Sequence, residues 1–154
     1  MLSDDEKAEI DEELSHYEDR QAVSVEALKA VQKRRGWVSD EALKAVADYT
    51  GLPANDLEAV ATFYNLIYRQ PVGRHVIHVC DSVSCYICGY DSLKRNLEER
   101  LGINFGQTTQ DGRFTLLPIC CLGHCDHAPA LMIDNKQHGD VGPDTLDEVL
   151  GQYD

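Results

Sequence analysis

This sequence has no long apolar run. No stretch approaches the roughly 18 residues that a bilayer-crossing helix requires. Asp4, Asp5, Glu6 and Lys7 come too early for the apolar stretch of a secretory signal. Positive charge is scarce. Fourteen lysines and arginines stand against 27 aspartates and glutamates, a formal net charge of −13. A surface of that sign repels nucleic acid and anionic lipid. There is no Gly-rich dinucleotide fingerprint, because the glycines near Cys88 and Cys121 do not follow the G-x-G-x-x-G spacing. Internal repeats and low-complexity segments are missing too. These absences lead to the expectation of a soluble, cytoplasmic protein without a nucleic-acid partner, a membrane insertion or a nucleotide site of its own.

What is present is enough for a core. The chain has 154 residues, of which 43% are hydrophobic. That suits one ordinary domain, or a small domain with a helical extension. Residues 1–19 hold nine acidic residues against one lysine, a local charge of −8. A solvated acidic helix is expected from Asp4 to Tyr17, with Ile10 and Leu14 on one face. Leu28 and Val31 mark a second helix ending near Gly36. Leu43, Val46 and Ala47 mark a third, with Ser39 as N-cap and Gly51 as stop. Leu57, Val60, Ala61 and Tyr64 continue the pattern behind Pro53. Pro71-Val72-Gly73 punctuates the chain, so the expected division is a helical segment over 1–71 and a second domain over 72–154.

After that boundary the periodicity changes. Val76 to Cys80 reads as a buried strand. Leu93, Leu97 and Leu101 line a helix that Gly102 ends. Phe114 to Ile119 and Ala130 to Ile133 read as strands, Asp134 to Gly139 as a turn into a fourth. Leu146, Val149 and Leu150 define a last helix after Pro143. Strand, helix, strand, strand, helix implies an α/β layer on a small mixed sheet.

Two of the predicted strands end in cysteine-bearing loops, Cys80-Asp-Ser-Val-Ser-Cys85-Tyr-Ile-Cys88 and Cys120-Cys121-Leu-Gly-His-Cys125. Clustered cysteines in a reducing compartment point to metal or redox chemistry rather than a disulfide framework. If the strands are neighbours, the loops meet and four thiolates can converge. Wide spacings favour an iron–sulfur centre. A zinc site and a dithiol pair at Cys85 and Cys88 stay open on spacing alone. Six cysteines exceed four ligands. Adjacent Cys120 and Cys121 point to opposite faces of an extended chain. Any surplus cysteine reads as a small packed hydrophobe.

From about Ala22 onward the chain resembles the small thioredoxin-like [2Fe–2S] subunits of bacterial respiratory NADH:quinone oxidoreductase, complex I. The resemblance is carried by Gln32, Gly36-Trp37-Val38-Ser39, Val60-Ala61-Thr62-Phe63-Tyr64, Pro71-Val72-Gly73, Cys80-x₄-Cys85, and Cys121-Leu122-Gly123-His124-Cys125 followed by Ala128-Pro129. It implies a thioredoxin-like ferredoxin domain after the helical segment. It implies one [2Fe–2S] cluster on Cys80, Cys85, Cys121 and Cys125, with Cys88 and Cys120 outside the ligand set. It also implies partners: a flavoprotein subunit that binds NADH and FMN, and the large iron–sulfur subunit. The whole would sit in the peripheral arm of the complex, at the cytoplasmic face of the inner membrane. Hydride chemistry would belong to the flavoprotein, and this chain would be an electron carrier without its own substrate site. NAD-linked formate dehydrogenases and NAD-reducing hydrogenases carry similar subunits. The runs from Cys80 to Tyr90 and at Cys120-Cys121-Leu122-Gly123 look like the proteobacterial respiratory form.

Two ferric ions, two sulfides and four thiolates sum to a dianion. Adding an electron inside an acidic protein is costly, so a low potential is expected. Backbone N–H groups near Gly123 and at the start of the helix after Tyr90 are expected to offset part of that charge. His124 and His127 do not form the Cys-x-His pairs of a Rieske site. His75 and His78 read as structural or surface residues, Trp37, Phe63 and Tyr64 as core or packing residues, and Asp111-Gly112 as a turn.

Overall fold

The computed structural model describes all 154 residues, which divide into two compact units, Met1–Pro71 and Val72–Asp154. The first unit is helical: α1 (Asp4–His16), α2 (Ser24–Arg35), α3 (Asp40–Thr50) and α4 (Ala54–Phe63), with a single 3₁₀ turn at Arg20–Val23 before α2. Ser3 and Glu6 close a capping box on α1. The Ser39 hydroxyl accepts from the Ala42 N–H at 3.2 Å to start α3, and Gly51 ends it with φ +74°. Ile10, Leu28, Val31, Val46 and Leu57 are buried in one apolar cluster. Gln32 holds the chain after α4. Its Nε2 donates to Leu66 O at 2.7 Å and its Oε1 accepts from the Tyr68 N–H at 2.6 Å.

Two expectations for this unit fail. α4 ends at Phe63, and Tyr64 is its C-cap, not a fourth turn of the buried face. Phe63 is 78% exposed and Tyr64 46%, so they are not core residues. Leu57 and Ala61 are buried; Phe63, two residues past Ala61, points off that stripe, and Tyr64 falls after the helix has ended. The two rings instead stack edge to face, centroids 5.3 Å apart.

The second unit is α/β. It runs β1 (His75–Cys80), α5 (Val83–Ile87), α6 (Tyr90–Leu101), β2 (Phe114–Ile119), β3 (Leu131–Ile133), β4 (Lys136–His138) and α7 (Leu146–Leu150). The strand order is β2-β1-β3-β4. β1 pairs parallel with β2 and antiparallel with β3, and β3 pairs antiparallel with β4. The connection from β1 to the parallel β2 carries α6, as a parallel pair requires. Register aligns Ile77 with Leu116 and Ile133, and Val79 with Leu131. These residues share one face and form a core with Leu93 and Leu97 of α6 and Leu146 and Leu150 of α7. The single-turn helix α5, between Cys80 and Cys88, is an addition to the expected order.

Candidate metal centre

The parallel register is what assembles the site. Cys80 pairs with Ile119, so β1 and β2 finish level at one edge of the sheet. The chain leaving β1 carries Cys85, and the chain leaving β2 carries Cys121 and Cys125. Cys80 is the last residue of β1 and 2% exposed. Its N–H donates to Ala130 O at 3.2 Å, and the next N–H, of Asp81, donates to Ile119 O at 3.1 Å. Cys85 lies in α5 and is also 2% exposed. These two sulfurs pack with Ala130, against Leu122 and Ala128.

Cys121 and Cys125 are exposed, with their Sγ atoms 3.4 Å apart. Gly123 adopts φ +73°, a left-handed conformation that suits glycine, and its N–H donates to Cys121 Sγ at 3.3 Å. That bond fulfils the expectation of an amide donor near Gly123. Cys125 then opens a single 3₁₀ turn, Cys125–His127.

The thiols feel one another across the two loops. Burial pushes Cys85 up to about 11, reinforced by Cys80 and Cys125 nearby. The Gly123 N–H holds Cys121 below the usual thiol range, and the neighbouring Cys121 raises Cys125. The structure thus gathers Cys80, Cys85, Cys121 and Cys125 into one electrostatically linked group. Nowhere do three or more His, Cys, Asp or Glu side chains close as they would around a single ion. Cys121 and Cys125 are in contact, and the influence of Cys80 reaches both Cys85 and Cys125. Four soft donors, two shielded from water, with an amide directed at a third, fit an iron–sulfur cluster.

The remaining candidates lie outside this group. Cys88 and Cys120 are exposed, so neither is the packed small hydrophobe that was expected. Cys88 follows α5 on the solvent side, and Cys120 follows the partly exposed end of β2. A dithiol reaction at Cys85 and Cys88 needs an activated thiolate, whereas Cys85 is buried with its pKa raised. His127 Nδ1 lies 2.7 Å from the Asp140 carboxylate, which raises its pKa, and the His124 ring stacks 5.0 Å from that of His127. His75 Nδ1 pairs with Asp134 at 2.8 Å, and His78 is buried. Sequence reasoning missed Gln137 and Asp140, which bond to the second cysteine loop. A Gly-Asp pair directly after a short edge strand was the available signal.

The family model for the thioredoxin-like [2Fe-2S] ferredoxin matches residues 10–154. A Pseudomonas aeruginosa protein, named as an E-type chain of NADH-quinone oxidoreductase, is 58% identical over 153 residues, covering 99% of this chain and 92% of its own length. The Escherichia coli protein of the same name is 57% identical over 152 residues, again 99% and 92% of the two chains. Among solved structures, an NAD+-reducing [NiFe]-hydrogenase in the air-oxidized state superposes with a TM-score of 0.68 at 27% identity, over 81% of this chain and 22% of that one.

Proposed function

The chain belongs to the thioredoxin-like [2Fe–2S] ferredoxin family, and on that footing we propose that Cys80, Cys85, Cys121 and Cys125 are the four ligands of its cluster. It is an electron-transfer component of an NADH:quinone oxidoreductase and carries one [2Fe–2S] cluster. The observation that carries the ligand assignment is the linked thiol group at the level ends of β1 and β2.

A bound [2Fe–2S] cluster supplies one-electron exchange. The chain's own residues supply the setting. Cys80 and Cys85 offer thiolates from a packed floor that excludes water. Cys121 and Cys125 offer theirs from the exposed side, the direction from which an electron partner can approach. The Gly123 N–H stabilises negative charge on Cys121 Sγ. Burial resists the thiolate at Cys85, so metal binding must displace that proton.

NADH oxidation belongs, in this reading, to a flavoprotein subunit that binds FMN, and the large iron–sulfur subunit completes the neighbourhood. No helix is long and apolar enough to cross a membrane. The chain would sit in the peripheral arm at the cytoplasmic face of the inner membrane. The hydrogenase likeness supports a second reading, the equivalent component of an NAD-reducing hydrogenase, but at lower identity than the quinone-linked relatives.

The test is absorption and EPR of the anaerobically purified protein before and after dithionite, with iron and sulfide counted. Two irons, two sulfides and a spin-half signal on reduction are expected, with Cys-to-Ser changes at the four positions abolishing or altering that signal. A colourless protein with about one zinc per chain would overturn the reading.

A further inference from the structure

The two halves of the cysteine group are held in different ways. Cys80 and Cys85 are fixed by packing. Cys121 and Cys125 are exposed, and within their loop Leu122 alone packs on the Cys80–Cys85 cluster. The other ties on this loop are polar, and several come from one place, the edge strand β4 and the turn after it. Gln137, in β4, donates from Nε2 to Leu122 O at 2.6 Å, between Cys121 and Gly123. Asp140 holds the far end of the 3₁₀ turn that Cys125 opens, with two bonds. Its N–H donates to His127 O at 2.6 Å, and its carboxylate meets His127 Nδ1 at 2.7 Å. Asp140 adopts φ +51°, a conformation that aspartate tolerates better than most residues. Gly139, between them, leaves room for the histidines. A Cβ there would fall 2.7 Å from His124 Nε2 and 2.8 Å from His124 Cδ2.

We propose that Gln137, Gly139 and Asp140 form a brace that positions the Cys121–Cys125 loop, and that through this loop they set the cluster's spectrum and its retention. The brace rests on the ligand reading above. Its residues are positioning residues, acting through backbone and histidine rather than on the metal. Gln137 governs the Cys121 end, Asp140 the Cys125 end, and Gly139 the depth at which His124 and His127 lie against the turn. Groups around a metal centre that orient its ligands are commonly worth 10- to 100-fold in metal affinity. Losing either tie lets the exposed pair of sulfurs spread.

The test uses the full chain, reconstituted anaerobically. Gln137→Leu, Gly139→Ala, Asp140→Ala and Asp140→Asn are compared with the parent by EPR of the reduced cluster, by redox titration, and by the rate of colour loss in air. Gln137→Leu removes one exposed hydrogen bond and leaves both cores intact, so it remains the decisive variant if Gly139→Ala fails to fold. The expected result is shifted g values, a shifted midpoint potential and colour loss faster by about ten-fold in Gln137→Leu, Gly139→Ala and Asp140→Ala. Asp140→Asn, which keeps an acceptor for His127, restores the parental signal. Parental spectra, potential and lifetime in Gln137→Leu and Asp140→Ala would overturn the brace. Cys121→Ser and Cys125→Ser, run in parallel, separate the two readings. If they leave the signal unchanged, the ligand assignment has failed; if they alter it while the brace variants do not, only the brace has failed.

Discussion

Glu6 is a buried carboxylate with its charge matched. It is 1% exposed and accepts from Arg35 through Nε and Nη2, both at 2.7 Å. The Arg35 guanidinium holds its carboxyl down to about 2, against an ordinary value of 4.5. Because the folded value is the lower one, the pair's stabilisation is fully present above about pH 5 and is lost as pH falls toward 2. Glu6→Gln is expected to cost about 2–3 kcal/mol at pH 7 and to flatten the loss of stability between pH 5 and 2, as read by urea unfolding at both ends. At the cysteines, Cys85→Ser is expected to abolish the [2Fe–2S] absorption, whereas Cys88→Ser and Cys120→Ser keep it. The two thiol pairs could be read from spacing and family likeness. The exposure of Cys88 and Cys120 could not, because spacing along the chain does not say which side of a short helix or a strand end meets solvent.

At the scale of single elements, local chemistry was the readable part. Ser39 and Gly51 bracket α3 as polar and left-handed caps do, and Gly102 ends α6 with φ +66°. Ser39→Ala is expected to lower unfolding free energy by about 1 kcal/mol in thermal or urea denaturation. Gly51→Ala should cost at least as much, since alanine resists a φ of +74°. β1, β2 and β3 were legible as short apolar runs, and the polar β4 only from the turn that leads into it. Their neighbours were not. That β1 lies between a parallel β2 and an antiparallel β3 is settled by register across the sheet, which no window of sequence contains. α5 escaped because five residues carry too little periodicity. Phe63 and Tyr64 misled because aromatic residues near a buried stripe look like its continuation, although Phe63 ends the helix off that stripe and Tyr64 lies past it.

Over the whole molecule, each unit has its own apolar cluster, one built on Ile10, Leu28 and Leu57 and the other on Ile77, Leu116 and Leu131. We propose Pro71 as the boundary between two separately stable domains. Trypsin under native conditions is then expected to cut first at the exposed Arg74, and a fragment spanning 72–154 should take up iron and sulfide without the helical unit. A fragment that aggregates, or early cleavage inside either core, would argue for one cooperative body. The net charge of −13 belongs to this scale too. Its long-range repulsion of an added electron is screened by salt, so the midpoint potential is expected to rise modestly with ionic strength in redox titration.

The level ends of β1 and β2 also impose an order in time. Cys80 and Cys85 leave the ribosome well before β2 exists, and a parallel pair joined through a helix closes late, because its contacts span a long loop. A cofactor delivered to the nascent chain would meet one half of its socket and water where the other half should be. Loading is therefore expected only after the β1–β2 pair has closed in the finished chain.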